Sequence, residues 1–174
     1  RLYRPVHPLA VSDSSIIPDP RWAAPFFTGR SVLVTGGTSG IGAAIASGFA
    51  GAGAQVLATG ATDAEVEAAR ADATGGVEHR RLEVRDRQAV ETLLGSLSTL
   101  DVVVNCAGII RRGDEHDPDV FAEVLDINLT GAMRVCAGAR PLLKASQAGA
   151  IVNLASVLTF QGGGLVPGYA ASKG

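Results

Sequence analysis

Thr35-Gly36-Gly37-Thr38-Ser39-Gly40-Ile41-Gly42 is the stretch that decides the fold of this 174-residue chain. The β-branched run Ser31 to Thr35 ahead of it predicts a strand, and the small residues Ala43 to Ala52 behind it predict a helix. A glycine-rich turn between a strand and a helix start offers free backbone N–H groups and the positive end of the helix dipole, which together hold a pyrophosphate. Glycine is required wherever a side chain would block the phosphate or the approach of helix to strand. Gly36, Gly40 and Gly42 follow G-x-x-x-G-x-G rather than the commoner G-x-G-x-x-G.

Outward from the turn, short β-branched runs alternate with amphipathic stretches. Strands are predicted at Ser31 to Thr35, Gln55 to Thr59, Val77 to Val84, Asp101 to Asn105 and Ala150 to Leu154. Helix start signals fall between them: the capping box Thr62-Asp63-Ala64-Glu65, Asp86 ahead of Val90, Leu93, Leu94 and Leu97, and Asp117 followed by Pro118. The helix after Pro118 can run as far as Lys144, with Gly131 and Gly138 marking a bend or a close helix contact. This alternation predicts an α/β fold, a Rossmann-like doubly wound parallel sheet ending after its fifth strand. Residues 1–30 hold five of the eight prolines and no period, so they are expected to form an extended arm, with Trp22 anchoring it on a domain of residues 31–174.

Composition narrows the function. Hydrophobic residues make up 47% of the chain and charged ones 18%, which fits a packed α/β domain and excludes disorder for most of it. A formal net charge of -2 without like-charge blocks gives no footprint for nucleic acid. No stretch has the apolar length of a membrane span, and Cys106 and Cys136 sit in apolar segments, so a cytoplasmic protein without disulfides or membrane contact is expected. His7, His79 and His116 are scattered with no ligand-spaced partner, and no metal site is predicted.

The motif T-G-x-x-x-G-I-G closely resembles the fingerprint of the short-chain dehydrogenase/reductase family. Asn105-Cys106-Ala107-Gly108 is similar to the family's N-N-A-G, with Cys106 in place of the second Asn. Leu82-Glu83-Val84 with Asp86 resembles its L-D-V-x-D, with Glu83 where Asp is usual. Three further matches follow in order: Asn128 in Asp126-Ile127-Asn128-Leu129-Thr130-Gly131, Ser156 after Ile151-Val152-Asn153-Leu154-Ala155, and Tyr169-Ala170-Ala171-Ser172-Lys173. The resemblance implies an NAD(P)-dependent oxidoreductase that moves hydride between the cofactor and a small alcohol or ketone substrate. It further implies a homo-oligomer, dimer or tetramer, for the full-length enzyme. Cofactor contacts are implied for Gly36, Thr38, Ser39, Gly40, Ile41, Gly42, Glu83, Val84, Asn105, Ala107, Gly108, Tyr169 and Lys173. The implied catalytic set is Asn128, Ser156, Tyr169 and Lys173. In it Lys173 also bonds the nicotinamide ribose, and Asn128 holds a water that links Lys173 to solvent.

Chemistry independently favours these residue types. Hydride transfer to a carbonyl leaves an alkoxide that needs a proton, so the site wants an acid that can serve as base in reverse. A free phenol titrates near pH 10, and a lysine one helical turn away stabilises its phenolate. A serine at the C-terminal end of a strand can hydrogen-bond and polarise the substrate oxygen. Arg111-Arg112 could grip an anionic substrate, although solvated surface is the simpler reading, and Ala107-Gly108-Ile109-Ile110-Arg111-Arg112 is similar to a stretch of the family's sugar-acid dehydrogenases. After the second strand, Gly60 stands where an acidic residue would meet the ribose hydroxyls of NAD, and no Arg or Lys follows to meet the phosphate of NADP, so NAD or NADP stays open. Two other activities compete: a dinucleotide-binding scaffold without turnover, and a dehydratase or epimerase using the nucleotide as a transient hydride store. Gly174 directly follows Lys173, where a helix has only begun. A longer polypeptide is therefore expected to carry the activity, with the 174 residues alone showing no turnover.

Overall fold

In the computed structural model, residues 19–72 and 75–174 are described. Five parallel strands form one sheet: β1 (Ser31–Thr35), β2 (Gln55–Gly60), β3 (Val77–Arg81), β4 (Val102–Asn105) and β5 (Ala150–Asn153), in the order β3-β2-β1-β4-β5. In the register, Thr35 lies opposite Thr59 on one side and Asn105 on the other, and Asn105 lies opposite Asn153. The strands therefore finish together at one edge, and the loops carrying the predicted motifs all open there. After β1 the chain builds β2 and β3 on one side, then crosses to β4 on the other, which opens the crevice typical of such a switch in strand order between the ends of β1 and β4.

The helices are α1 (Ala24–Phe27), α2 (Gly40–Gly51), α3 (Asp63–Asp72), α4 (Arg87–Gly95), α5 (Pro118–Leu125), α6 (Ala132–Ala145), α7 (Leu158–Gln161) and α8 (Pro167–Lys173). Side-chain alternation along the strands splits the core into two layers. Val32, Val34, Val56, Ala58, Val102 and Val104 pack with Ala46 of α2, whereas Leu33, Leu57 and Val103 pack on the other face with Val90, Leu93 and Leu94 of α4 and Val135 and Ala139 of α6. The sheet is thus covered on both faces, as the sequence predicts. At its edge, β5 keeps Ile151 and Val152 accessible. Among the described residues, no helix is long and apolar enough to cross a membrane.

The starts read from the sequence are capped by the residues expected. Asp86 accepts from Ala89 N–H at 3.0 Å and Asp117 from Asp119 N–H at 2.8 Å. Thr62 Oγ1 accepts from Glu65 N–H at 3.2 Å, and Glu65 reaches back one residue further than in the standard box, to Ala61 N–H at 2.8 Å.

Four expectations need correction. β3 stops at Arg81 because its partner strand stops at Gly60, the last residue paired with it; Leu82 to Val84 turn away, closed by Asp86 N–H on Glu83 O. The long helix after Pro118 is interrupted by a π-helical turn over Asp126–Gly131, between α5 and α6. Residues 1–18 of the expected arm lie outside the described residues, and 19–30 are folded rather than extended: Pro20–Ala23 form a 3₁₀ turn and α1 follows, each with a proline at its start, where a missing N–H costs nothing. Trp22 does not anchor this segment, since it is 71% exposed. Phe27 does so instead, edge-on to Phe49 of α2 with ring centroids 4.9 Å apart.

Candidate active site

The crevice holds a cavity of about 630 Å³ whose wall includes the glycine turn, the loop after β4 and the α8 residues Tyr169 and Lys173. Gly36 has φ +63°, and a Cβ there would come 2.7 Å from Ala107 Cα, so this position excludes other residues on both conformation and space. A Cβ on Gly42 would run into the Gly36 carbonyl oxygen; its absence lets the first turn of α2 fold down over the loop. Ser39 caps α2 in extended backbone with no side-chain hydrogen bond, and Ile41 is 68% exposed at the first turn. The first N–H groups of that helix therefore remain for an anion. A dinucleotide phosphate fits this turn: glycine at 36 and 42 lets the loop pack on Ala107 and the helix start pack on the Gly36 carbonyl, and the first N–H groups of α2 carry no side-chain cap.

Leu82, Glu83 and Val84 line the same cavity, as do Ala107 and Gly108. Glu83 accepts from Arg85 Nη2 at 2.8 Å, and this hydrogen bond holds its carboxyl below the usual glutamate value. Asn105 points elsewhere, donating to Asn153 Oδ1 at 2.8 Å, and so ties β4 to β5 beneath the site instead of lining the cavity.

Tyr169 and Lys173 are one turn apart on α8, with Nζ 5.7 Å from the centre of the phenol ring. Nζ donates to the Leu154 carbonyl at 2.9 Å, and burial draws the ammonium below the ordinary lysine value, with the Cys106 thiol opposing that shift. Burial pushes the Cys106 thiol up, away from a reactive thiolate.

Asn128 and Ser156 do not line the cavity. The buried Asn128 side chain accepts from Ile109 N–H at 2.8 Å and donates to Ile109 O at 2.9 Å and to Ser172 Oγ at 3.1 Å. It thus clamps the loop after β4 onto α8, and Ser172 completes the clamp by donating to Tyr169 O at 2.8 Å. Ser156 Oγ accepts from Leu158 N–H at 3.2 Å, leaving its own hydrogen free to donate.

Sequence reasoning missed Glu115. It is 1% exposed, and its oxygens accept Arg111 N–H at 2.8 Å and Tyr169 N–H at 2.7 Å, so a buried carboxylate caps the helix that carries Tyr169. Arg111 lines the cavity and has Nε 3.9 Å from Glu123, while Arg112 is exposed. No group of three or more His, Cys, Asp or Glu able to hold a metal occurs among the described residues.

A profile of the short chain dehydrogenase family matches residues 30–174. The 2-dehydro-3-deoxy-D-gluconate 5-dehydrogenase of Pseudoalteromonas atlantica is 37% identical over 160 residues, 84% of this chain and 61% of that protein. The 3-oxoacyl-[acyl-carrier-protein] reductase FabG of Chlamydia muridarum is 35% identical over 158 residues, 83% of this chain and 62% of the relative. Among solved structures, a Beutenbergia cavernae protein assigned as an NAD(P)-dependent gluconate 5-dehydrogenase, with NADP bound at low occupancy, superimposes with a TM-score of 0.74. It is 42% identical and covers 84% of this chain and 61% of its own. The chain thus spans about three fifths of the length of the curated relatives it matches.

Proposed function

The chain belongs to the short-chain dehydrogenase family, and from that premise we propose that the protein is an NAD(P)-dependent oxidoreductase acting on a CH–OH/carbonyl pair, with Tyr169 as general acid and base. One observation carries the reading: Tyr169 and Lys173, a turn apart on α8, line the same cavity as the Gly36 to Gly42 cradle. When bound, the nicotinamide dinucleotide supplies or accepts the hydride. Tyr169 gives its phenolic proton to the substrate oxygen in reduction and takes it back in oxidation. Lys173 places a positive charge beside the phenol ring, with Nζ 5.7 Å from the ring centre. Its partly buried setting strengthens that field relative to a surface lysine.

Ser156 stands just outside the residues lining the cavity, next to Ala155, and its hydroxyl hydrogen is free while Oγ accepts from Leu158 N–H; its proposed part is to donate to a substrate oxygen that extends past that wall. Asn128 acts by position, fixing α8 against the loop after β4. The test uses the full-length protein. Cofactor absorbance is followed against a panel of sugar acids, polyols, steroids and acyl ketones, with fluorescence titration of NADH and NADPH alongside. Turnover on one class is expected. Nucleotide binding without turnover on any would instead favour the scaffold reading, and interconversion of substrate with no net change in cofactor would favour a dehydratase or epimerase.

A further inference from the structure

We infer that Glu65 sets the nucleotide preference: its carboxylate, reaching from the first turn of α3, takes the place of the acidic residue that β2 lacks and selects NAD(H) over NADP(H). This deepens the proposed function and rests on it. In a doubly wound sheet the ribose of the adenosine half lies beyond the end of the second strand, where an acidic side chain bonds its hydroxyls and repels a 2′-phosphate. Here that strand ends in Gly60, which carries no such group.

The reason for glycine is space. A Cβ on Gly60 would sit 2.8 Å from Thr38 Cγ2 and 3.0 Å from Glu65 Oε2. The volume that an Asp or Glu at position 60 would use is thus already held by the carboxylate of residue 65 and the side chain of Thr38. Glu65 is fixed there at both ends: Oε2 accepts from Ala61 N–H at 2.8 Å and its own N–H donates to Thr62 Oγ1 at 3.2 Å. Like Gly36, Thr38 and Ser39, it lines the cavity. A single side chain therefore serves as helix cap and as a fixed negative charge at the ribose end.

The cations nearby do not offset it. Arg81 Nε donates to Ala61 O at 3.2 Å, but its guanidinium is 3.5 Å from Asp63 and does not line the cavity. Arg85 does line it, yet is held by Glu83 at 2.8 Å and Glu123 at 3.5 Å. A 2′-phosphate at this end would meet a carboxylate first, and the arginines only after they break existing pairs.

The test titrates NADH and NADPH into the full-length protein by fluorescence at fixed ionic strength, in wild type, Glu65→Gln and Arg81→Ala. Glutamine keeps an acceptor for Ala61 N–H and removes the charge, and an unchanged melting temperature checks that the cap survives. Wild type should bind NADH at least about tenfold more tightly than NADPH, and Glu65→Gln should shrink that ratio about tenfold, chiefly by strengthening NADPH. NADPH binding as tight as NADH in wild type, a ratio unmoved by Glu65→Gln, or NADPH binding that depends on Arg81 would each overturn the assignment while leaving the oxidoreductase reading intact. Binding of neither nucleotide would overturn both.

Discussion

At Glu115 both carboxylate oxygens are committed to backbone amides, of Arg111 and of Tyr169, in a setting with almost no solvent access. Glutamine in its place has one acceptor oxygen and must turn an NH₂ group toward one of the two N–H donors. Glu115→Gln is therefore expected to destabilise the protein by about 1–3 kcal/mol, the usual cost of leaving a buried donor unpaired. Turnover should fall further than nucleotide affinity, since the displaced element is the start of α8; denaturant unfolding and a split of kcat from nucleotide Kd check both. Tyr169→Phe removes only the phenolic hydroxyl, and with it the proton donor, so it should abolish turnover and leave nucleotide Kd within about twofold. Near-normal activity of the Phe variant would sink the acid/base role. Tyr169 and Lys173 are legible from sequence because a spacing of four puts them on one helix face. Glu115 is not: its partners are main-chain amides four and 54 residues away, and no side-chain spacing records them.

Among the elements, the π turn at Asp126–Gly131 shows where local pattern reading runs out. Apolar periodicity and the Asp117-Pro118 start define a helix well, but a single widened turn inside it changes no residue type that the pattern counts. Gly131 and Gly138 are readable as close contacts, and the structure gives the reason: a Cβ would press on Val84 at 2.7 Å and on Leu94 at 2.6 Å respectively. The strand ends show the same division. Ser31 to Thr35 is read to the residue because its β-branched run stops at a glycine, whereas the end of β3 depends on where β2 ceases to pair. Asn128 belongs to this scale, since the π turn brings it under the loop after β4 and against α8. Asn128→Ala deletes three hydrogen bonds, two to Ile109 and one to Ser172, and should cost about 2–4 kcal/mol in denaturant unfolding. Faster amide exchange should appear in residues 109–111 and in α8 together; exchange changes confined to the π turn would argue against the clamp.

Across the whole molecule, Asp101 joins what the sheet edge opposite the cavity would otherwise leave separate. Its carboxylate accepts Ser146 Oγ–H at 2.5 Å, Ser31 N–H at 2.9 Å and Arg30 Nη1 at 3.1 Å, while its backbone N–H bonds Ser31 O and its carbonyl accepts Ala150 N–H. One residue thereby connects β1, β4, β5 and the end of α6. The Ser146 hydroxyl first, then the Ser31 amide and Arg30, hold this carboxyl below its ordinary value of 3.8. A value depressed by folding means that, on acidification, the unfolded chain takes up its proton before the folded one. The contribution of Asp101 is then complete above the unfolded value and is lost as pH falls through the folded value. Unfolding free energy, measured by urea titration, should lose this contribution progressively below about pH 4. Asp101→Asn should lower stability by about 1–3 kcal/mol at pH 7 and flatten the acid limb, because the variant has no proton to gain at this position. Parallel acid limbs for wild type and variant would show that Asp101 does not carry the effect. Since its bonds lie at the far ends of the strands from the glycine turn, nucleotide affinity at neutral pH should be the same in both proteins, which separates loss of the sheet's anchor from damage to the site.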